Sequence, residues 1–296
     1  MKKIQFLHPS TFKLDGGAMF GIIPKPLWEK KIPADEKNRI HMSLRVPYIE
    51  TQERKILIDT GIGFSNPEKF EKIFAIQHNY ESFEYMLNKE CGISCSDITD
   101  IILTHLHFDH VGGLCQNIDE VQIKNLEQER KKTPASSFSQ ARIHTHRQHF
   151  EYAQNPSQRD SGSFHSHLFL PLLKSKQKQG LLNLVEGDSG LILTDDDLKI
   201  NYKTSQGHTP FMIHPIIDQE WIYMADLIPT HAHLPIPWVM GYDISPAITC
   251  EYKEKFLRYA LENKLQLIYE HDIEYIGAKM DESKESWTTL QESSDI

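Results

Sequence analysis

Short runs of apolar residues, each bounded by polar or turn-forming residues, recur along the chain and predict β-strands. The runs are Ile56–Ile58, Ile101–Thr104, Leu191–Leu193, Phe211–Ile217, Trp221–Met224 and Leu265–Tyr269. Over Glu251–Lys264 the spacing changes, because aromatic and apolar residues recur there at steps of three and four between charges, which predicts an amphipathic helix. Strands that alternate with helical or polar stretches indicate an α/β fold in which this helix covers one face of a sheet.

One long segment breaks this pattern. Glu120–Gln140 is polar and turn-rich, and we expect it to form an insertion or surface loop whose charge run is solvated. The chain has 296 residues with 39% apolar content, which is enough to bury a sizeable core. We therefore predict a single domain over residues 1–296.

Charge and cysteine content narrow the function classes. The formal net charge of −9 argues against a nucleic-acid partner, which requires a basic face. No stretch approaches the roughly 18 apolar residues of a membrane span, and we expect no signal peptide, because the first residues lack a long apolar segment. Four irregularly spaced cysteines do not form a disulfide framework. We expect a cytoplasmic protein with reduced thiols and neither a nucleic-acid nor a membrane partner.

The densest chemistry lies in residues 104–110, which read Thr-His-Leu-His-Phe-Asp-His directly after a predicted strand. His105 and His107 are two residues apart, so an extended chain places both side chains on one face. Asp109 and His110 follow after the chain turns and can reach a second point nearby. Imidazole and carboxylate suit zinc and its first-row neighbours, and one ion cannot easily use all four groups, so the segment predicts two ions. A chance cluster on a surface loop is the alternative, since the chain has 16 histidines.

This segment resembles the HxHxDH signature of the metallo-β-lactamase fold hydrolases. Four further stations of that family can be matched in order: a strand ending in Asp59, a Gly-His-Thr segment at His208, a strand ending in Asp226 and a strand ending in His271. The stations cover most of the chain. The resemblance implies the αββα sandwich of that family, with two β-sheets flanked by helices.

The same resemblance implies a ligand set for two divalent ions. The ligands are His105, His107 and His208 for the first ion, Asp109, His110 and His271 for the second, and Asp226 as the bridge. Asp59 is expected to lie behind them and orient an imidazole. Zinc is the metal favoured, with manganese, iron and cobalt as alternatives.

This ligand set predicts a hydrolase that acts on a small molecule. Two ions that share a water lower its pKa toward neutrality, and Asp109 or Asp226 is the catalytic carboxylate that holds and receives the proton of the nucleophile. The flavodiiron branch of the family carries the pattern HxExD. This chain has His107 in place of the glutamate, which leaves fewer carboxylates for iron and disfavours a redox role. A catalytically silent ligand-binding scaffold is a further alternative. It is disfavoured because a suitable residue occupies every metal-ligand position of the family motifs.

The N-terminal segment, residues 1–35, resembles that of the quorum-quenching lactonases and the methyl parathion hydrolase group. The resemblance implies a loop that borders the active site and a dimer contact, and hence a homodimer. Expected pocket residues, suited to an acyl chain or an aromatic group, are Phe20, Ile22, Trp28, Phe108, Trp238, His231 and His233. The alternative is that these residues fill the core or a subunit interface. His165 and His167 are weaker pocket candidates, and His144 and His146 are not expected to bind metal.

Opening of an N-acyl homoserine lactone ring is the expected reaction. Lactonases of the family carry a tyrosine three residues after the bridging aspartate, and this chain has Pro229 there. The Gly-His-Thr motif usually continues with Pro-Gly-His, whereas in this chain Phe211 and Met212 follow the proline. Hydrolysis of an organophosphate triester or a thioester therefore remains the alternative.

Overall fold

The computed structural model describes residues 2–115, 136–281 and 283–292. The chain forms two compact units, of which unit 1 comprises Met1–Thr11 with Leu44–Glu186, and unit 2 comprises Phe12–Ser43 with Gly187–Ile296. Of the predicted insertion, residues 120–135 lie outside the described part. The single domain predicted from the sequence therefore stays a prediction.

The described strands and helices are as follows. The strands are β1 (Lys3–Leu7), β2 (Ser10–Asp15), β3 (Arg39–Ser43), β4 (Val46–Glu50), β5 (Lys55–Ile58), β6 (Gln77–His78), β7 (Asp100–Ile102), β8 (Arg142–His146), β9 (Leu182–Val185), β10 (Ser189–Thr194), β11 (Lys199–Ser205), β12 (Met212–Ile217), β13 (Trp221–Tyr223), β14 (Gln266–Ile268), β15 (Gly277–Asp281) and β16 (Ser286–Leu290). The α-helices are α1 (Gly16–Phe20), α2 (Lys25–Trp28), α3 (Glu68–Phe74), α4 (Phe83–Cys91), α5 (Phe108–Val111), α6 (Arg147–Tyr152), α7 (Ser166–Lys178) and α8 (Pro246–Glu262). Short 3₁₀ helices cover Cys95–Asp97, Gly112–Leu114, Ser161–Ser163, Ala225–Leu227 and His231–His233.

Unit 1 is built on a sheet with the strand order β1-β4-β5-β7-β8-β9. The pairs β5/β7, β7/β8 and β8/β9 are parallel, so these strands end at the same edge of the sheet. The apolar residues of β5 and β7 are fully buried, as expected for parallel strands covered on both faces. Apolar side chains of α4 and α7 belong to the same buried core. This packing fixes the edge from which residues 59 and 103–110 continue.

Unit 2 is built on a sheet with the strand order β10-β11-β12-β13-β14-β15-β16. Its neighbouring strands are antiparallel except for β13 and β14, which are parallel. Helix α8 buries Phe256 and Ala260, and the Phe256 ring packs edge-on against His214 of β12. Because β13 and β14 run in the same direction, the residues that follow them also meet at one edge.

The α/β fold class predicted from the sequence is confirmed, and each predicted apolar run contains a strand. The boundaries differ where the backbone turns. Phe211 has a φ of 56°, in the left-handed region that a strand cannot use, so β12 begins after it. Met224 has a helical backbone with φ −83° and ψ −15°, so β13 ends at Tyr223. Helix α8 begins at Pro246, ahead of the predicted Glu251, because proline suits the first helical turn.

The N-terminal segment differs from the loop expected for residues 1–35. It contains β1, β2, α1 and α2, and Asp15 caps α1 by accepting a hydrogen bond from the Ala18 N–H at 2.8 Å. The chain passes from unit 1 to unit 2 within β2.

The four cysteines are free, as predicted. Among the described residues, no helix is both long and apolar enough to cross a membrane.

Candidate metal centre

Asp59 organises the loop that carries the histidine motif in unit 1. It follows β5 with a φ of 57°, a left-handed conformation that aspartate tolerates better than most residues. Its carboxylate accepts hydrogen bonds from the Thr104 N–H and the Thr104 hydroxyl, both at 2.7 Å, and from His110 Nδ1 at 3.1 Å. The residue following β7 is thereby tied to the residue following β5. This is the orienting position that the sequence predicted for Asp59.

The same network assigns the proton on His105. The one hydroxyl proton of Thr104 is donated to Asp59, because a carboxylate only accepts. Thr104 Oγ1, 3.1 Å from His105 Nδ1, must therefore accept from that ring. In the neutral ring the lone pair is then left on Nε2, which is the atom available to a metal.

His105 and His107 present a pair of nitrogens to one point. His105 Nε2 and His107 Nδ1 lie 3.1 Å apart, and both side chains are buried. Zinc–nitrogen bonds of about 2.0–2.1 Å place two corners of a tetrahedron roughly 3.3–3.4 Å apart. The separation therefore fits two ligands of a single ion.

Asp109 and His110 lie on the one-turn helix α5 and form a second pair. His110 donates from Nδ1 to Asp59, which leaves Nε2 with the lone pair. That Nε2 atom lies 3.8 Å from an Asp109 carboxylate oxygen. Both residues are buried. One imidazole nitrogen and one carboxylate therefore face a common point, as expected for ligands of a further ion.

In unit 2, Asp226 lies between two imidazoles. One carboxylate oxygen is 3.1 Å from His208 Nε2, and the other is 3.1 Å from His271 Nε2. Asp226 follows β13 and His271 follows β14, so the parallel pairing of these strands brings the two residues together. A carboxylate whose two oxygens face different imidazoles has the arrangement expected of a bridging ligand.

The opposite nitrogens of these two rings are also held. His271 Nδ1 donates to the Ser43 carbonyl at 2.9 Å, and His208 Nδ1 donates to Asp243 at 2.9 Å. Burial opposes protonation of His208, but Asp226 and Asp243 raise its pKa to about 10. The environment of this ring therefore favours a positive charge, carried by a proton or by a metal ion.

The donor sets fit divalent transition metals. Four imidazoles present Nε2 and a fifth, His107, presents Nδ1, while two carboxylates complete the sets. Carboxylates or a backbone carbonyl hold the rear nitrogens of His110, His208 and His271, an arrangement that accompanies metal-bound histidines in proteins. Units 1 and 2 thus each contain a His/Asp cluster suited to metal.

Comparison with known families and structures identifies the fold family. Residues 48–263 match the family described as the Metallo-beta-lactamase superfamily. The chain belongs to this superfamily. None of the curated proteins compared with the sequence matches it significantly.

Solved structures share the fold over nearly the whole chain. A probable metal-dependent hydrolase from Staphylococcus aureus is 25% identical, with a TM-score of 0.79 over 100% of this chain and 98% of the other. AidC, a dizinc quorum-quenching lactonase, is 21% identical, with a TM-score of 0.71 over 99% and 95%. The hydrolase AbOPH is 17% identical, with a TM-score of 0.69 over 100% and 96%. Membership of the metallo-beta-lactamase superfamily, with the His/Asp clusters, makes the chain a metal-dependent hydrolase that binds divalent metal.

Sequence reasoning missed two residues that hold parts of the His/Asp clusters. Asp243, which holds His208, lies 35 residues from it in the chain. His149 of α6 accepts a hydrogen bond at Nε2 from the Leu106 N–H at 2.9 Å. That N–H lies between His105 and His107, so His149 fixes the segment that carries them. No spacing in the sequence connects either residue to its partner.

Several of the expected pocket residues are instead buried packing residues of unit 2. Phe20 is fully buried and stacks on Trp28 at 5.1 Å and on His233 at 4.7 Å, with Trp238 edge-on at 5.8 Å. His233 is also bonded through Nε2 to the Met19 carbonyl at 2.9 Å. Phe20, Trp28 and His233 pack against one another, which fits the alternative that they fill the core, and their place in a pocket stays a prediction.

Ile22 differs from that cluster because it is 89% exposed. It follows the left-handed Gly21, which turns the chain after α1. A side chain so open to water encloses no ligand by itself. Its expected place in the pocket stays a prediction.

Phe108, next to Asp109 in the motif, lies in a partly exposed aromatic group of unit 1. His165 stacks on it at 5.2 Å, and Phe70 and Phe74 lie at 5.2 and 5.6 Å. Burial, and then the charge of His167, lower the pKa of His165 to about 4, so the ring is neutral at pH 7. These rings form an uncharged aromatic wall beside a proposed ligand.

The remaining histidines of β8 have structural partners. His144 Nε2 donates to Asp100 at 2.8 Å, and Asn183 donates to His144 Nδ1 at 2.9 Å. His146 caps α6 by accepting from the Gln148 N–H at 3.2 Å. Both rings therefore have partners outside the two clusters, and the expectation that neither binds metal stays a prediction.

Proposed function

We propose that the chain is a dinuclear metal hydrolase that cleaves an ester-like bond, with N-acyl homoserine lactone as its substrate class. The observation that carries the proposal is Asp226, whose two oxygens each face a different histidine. Each of those histidines is held from behind by a hydrogen-bond acceptor.

The proposed ligand assignment follows the two clusters. It gives one ion to His105, His107 and His208, the second to Asp109, His110 and His271, and both to Asp226. When bound, two such ions supply a hydroxide nucleophile at neutral pH and polarise the scissile carbonyl. Zinc is the proposed metal because it binds well to the nitrogen of imidazole and the oxygen of carboxylate.

The protein groups then have defined tasks. Asp109, whose carboxylate oxygen lies 3.8 Å from His110 Nε2, is the proposed acceptor of the proton that the attacking water releases. Asp59, Asp243 and the Ser43 carbonyl hold the imidazoles in the ligating tautomer. The aromatic wall at Phe108 excludes water from one side and offers apolar contact to an acyl chain.

The substrate class rests on this wall and on the structural neighbours. AidC is described as a lactonase in complex with the product N-hexanoyl-homoserine, and further neighbours are N-acyl homoserine lactone hydrolases. Pro229, where lactonases carry tyrosine, removes one hydroxyl contact to the lactone. We therefore expect turnover with a raised KM rather than loss of the reaction.

Metal counting and a substrate panel test the proposal together. The purified full chain, loaded with zinc or manganese, is assayed for bound metal by atomic emission and for opening of short- and long-chain acyl-homoserine lactones. Two ions per chain with metal-dependent lactone opening support it. A single ion would overturn the dinuclear mechanism.

The same panel separates the alternative substrates. It includes a paraoxon-type triester and an acyl thioester, because a hydroxide nucleophile also attacks phosphorus or a thioester carbon. Two ions with turnover of only one of these would retain the dinuclear hydrolase and overturn the lactone. A variant with Asp226→Asn, which keeps the shape but removes the charge, should lose metal and activity together. Asp196→Asn, at an exposed site, is the matched control.

A further inference from the structure

We propose that His231, oriented by Asp272, is the catalytic proton donor to the leaving oxygen of the substrate. This inference rests on the proposed ester-hydrolase function. Both residues belong to unit 2, and the sequence placed His231 only among general pocket candidates. The geometry around its imidazole assigns it a more specific task.

Asp272 holds His231 by two hydrogen bonds. One carboxylate oxygen accepts from the His231 backbone N–H at 2.7 Å and from ring atom Nδ1 at 2.6 Å. The other oxygen accepts from the backbone N–H groups of Glu274 and Tyr275, each at 2.9 Å. The carboxylate is thus fixed by four donors, and it fixes both the main chain and the ring of His231.

This arrangement leaves the far nitrogen of the ring for chemistry. Because Asp272 only accepts, Nδ1 carries a proton, and Nε2 is the atom that gains and loses one. Among the described residues Nε2 has no hydrogen-bond partner, and the side chain is 17% exposed. Tyr275 packs edge-on at 5.0 Å and restricts rotation of the ring. A histidine held at Nδ1 by a carboxylate is the arrangement that serves proton transfer in hydrolases.

Hydrogen bonds connect the segment of His231 with the segment of His271, a proposed ligand in unit 2. The His271 N–H donates to the Pro229 carbonyl at 3.0 Å, and the His231 N–H donates to Asp272, the residue after His271. His231 also follows Asp226 by five positions. Two hydrogen bonds therefore bind the segment of His231 to the segment of a ligand.

His233, two residues further on, shows what a structural histidine looks like in the same 3₁₀ helix. Its Nδ1 bonds to the Thr230 hydroxyl at 2.7 Å and its Nε2 to the Met19 carbonyl at 2.9 Å. Burial lowers its pKa to about 3. Both nitrogens are engaged, so His233 cannot carry a proton to a substrate.

The proposed step balances in atoms and charge. The oxygen of water adds to the acyl carbon, and as the bond from that carbon to the leaving oxygen breaks, the proton on His231 Nε2 moves to the leaving oxygen. The products are a carboxylate and an alcohol. The water gives one proton to Asp109, and the new carboxylic acid loses the other. Both protons pass to solvent and one returns to His231 Nε2, so the reaction releases one net proton and needs no further reactant.

The test varies the leaving group in the metal-loaded full chain. Wild type and His231→Gln are compared on a nitrophenyl ester and an alkyl ester or lactone of the same acyl group. A nitrophenolate leaves without protonation, whereas an alkoxide requires it. We expect kcat for the alkyl substrate to fall by about 10²–10⁴-fold, the usual contribution of a general acid, with little change for the nitrophenyl ester.

The outcomes are distinguishable. An equal loss on both substrates would overturn the proposal, because a structural role does not depend on the leaving group. A selective loss with unchanged bound metal supports it. His78→Gln, the same change at a half-buried histidine held by Ser10 and Glu71 in unit 1, is the matched control and should alter neither substrate. If the wild type cleaves neither ester, the proposed ester-hydrolase function is overturned, which is a different result from a loss of selectivity in His231→Gln.

A second variant guards against misfolding of the first. His231→Ala should show the same selective loss, and added imidazole should restore turnover of the alkyl substrate only. Failure of imidazole to restore it, while the nitrophenyl ester is still cleaved, would count against His231. Circular dichroism of each variant verifies the fold.

Discussion

Single hydrogen bonds decide which nitrogen each proposed ligand histidine offers. Asp59 accepts from His110, Asp243 from His208 and the Ser43 carbonyl from His271. In each ring the proton is held at Nδ1, and the lone pair is left on Nε2. These acceptors should therefore influence metal affinity although none of them is a proposed ligand.

The first prediction concerns Asp59. Replacement by asparagine puts an amide where the Thr104 hydroxyl and His110 Nδ1 both donate, so at least one of these hydrogen bonds weakens. We expect metal affinity to fall about 10–100-fold, the usual effect of losing such a partner. Competition with a chromophoric chelator measures it. Asp196→Asn is the control, and equal affinity in the two variants would contradict the assignment.

The second prediction concerns Asp243, which accepts a hydrogen bond from His208 Nδ1. Asp243→Ala should weaken the ion bound by His208 about 10–100-fold and leave the ion of His110 nearly unaffected. A metal titration should then resolve one tight and one weak site where wild type has two tight ones. Loss of both ions to the same extent would refute a role restricted to His208.

At the scale of elements, the site depends on loops that approach one another closely. A Cβ built on Gly112 would lie 2.1 Å from the Ile62 carbonyl oxygen, and one on Gly113 would lie 2.3 Å from the Thr60 carbonyl oxygen. Both contacts are with backbone, which cannot swing aside. The two glycines after the motif therefore let α5, which carries Asp109 and His110, pack against the loop that follows Asp59.

The third prediction tests this packing. Gly112 has a helical φ of −60°, so alanine would suit its backbone, and the close contacts with the backbone of Ile62 and Gly63 oppose it. We expect Gly112→Ala to lower the free energy of unfolding by about 1–3 kcal/mol, as overpacking typically does, and to weaken metal binding. Denaturant unfolding measures the first effect. Gly162→Ala, where a Cβ meets nothing within 4 Å, should be nearly neutral.

At the scale of the whole molecule, the proposed ligands come from widely separated parts of the chain. Their positions run from His105 to His271, with the orienting residues extending back to Ser43. Metal that binds only the folded chain stabilises it by mass action. Stability and metal content should therefore be coupled.

The fourth prediction is that removal of metal lowers the melting temperature. An ion present at a thousand times its Kd contributes about 4.1 kcal/mol, so a strong chelator should shift the calorimetric transition down by several degrees. Added zinc should restore it. A zinc-saturated chelator is the control, and a transition that ignores metal would contradict binding at these buried clusters.

Much of this site could be predicted from the sequence because the proposed ligands are of a distinctive type and follow apolar strands. Asp226 and His271 each lie three residues after the end of a strand, β13 and β14 respectively, where the chain pattern marks them. Asp243 and His149 could not be predicted, since each meets its partner only through tertiary packing. For Phe20 and Trp28 the sequence left two readings open, because an aromatic ring looks alike in a sequence whether it stacks in a core or lines a pocket.

The hydrogen bond from His271 to the Ser43 carbonyl joins residues 228 positions apart. During synthesis, Ser43 leaves the ribosome long before His271 has been added. The orientation of this imidazole can therefore be set only after 228 residues have been added beyond Ser43. A nascent chain can present the motif at residues 104–110 early, but the ring of His271 gains its acceptor only later, so binding of the proposed second ion follows synthesis of the motif by many residues.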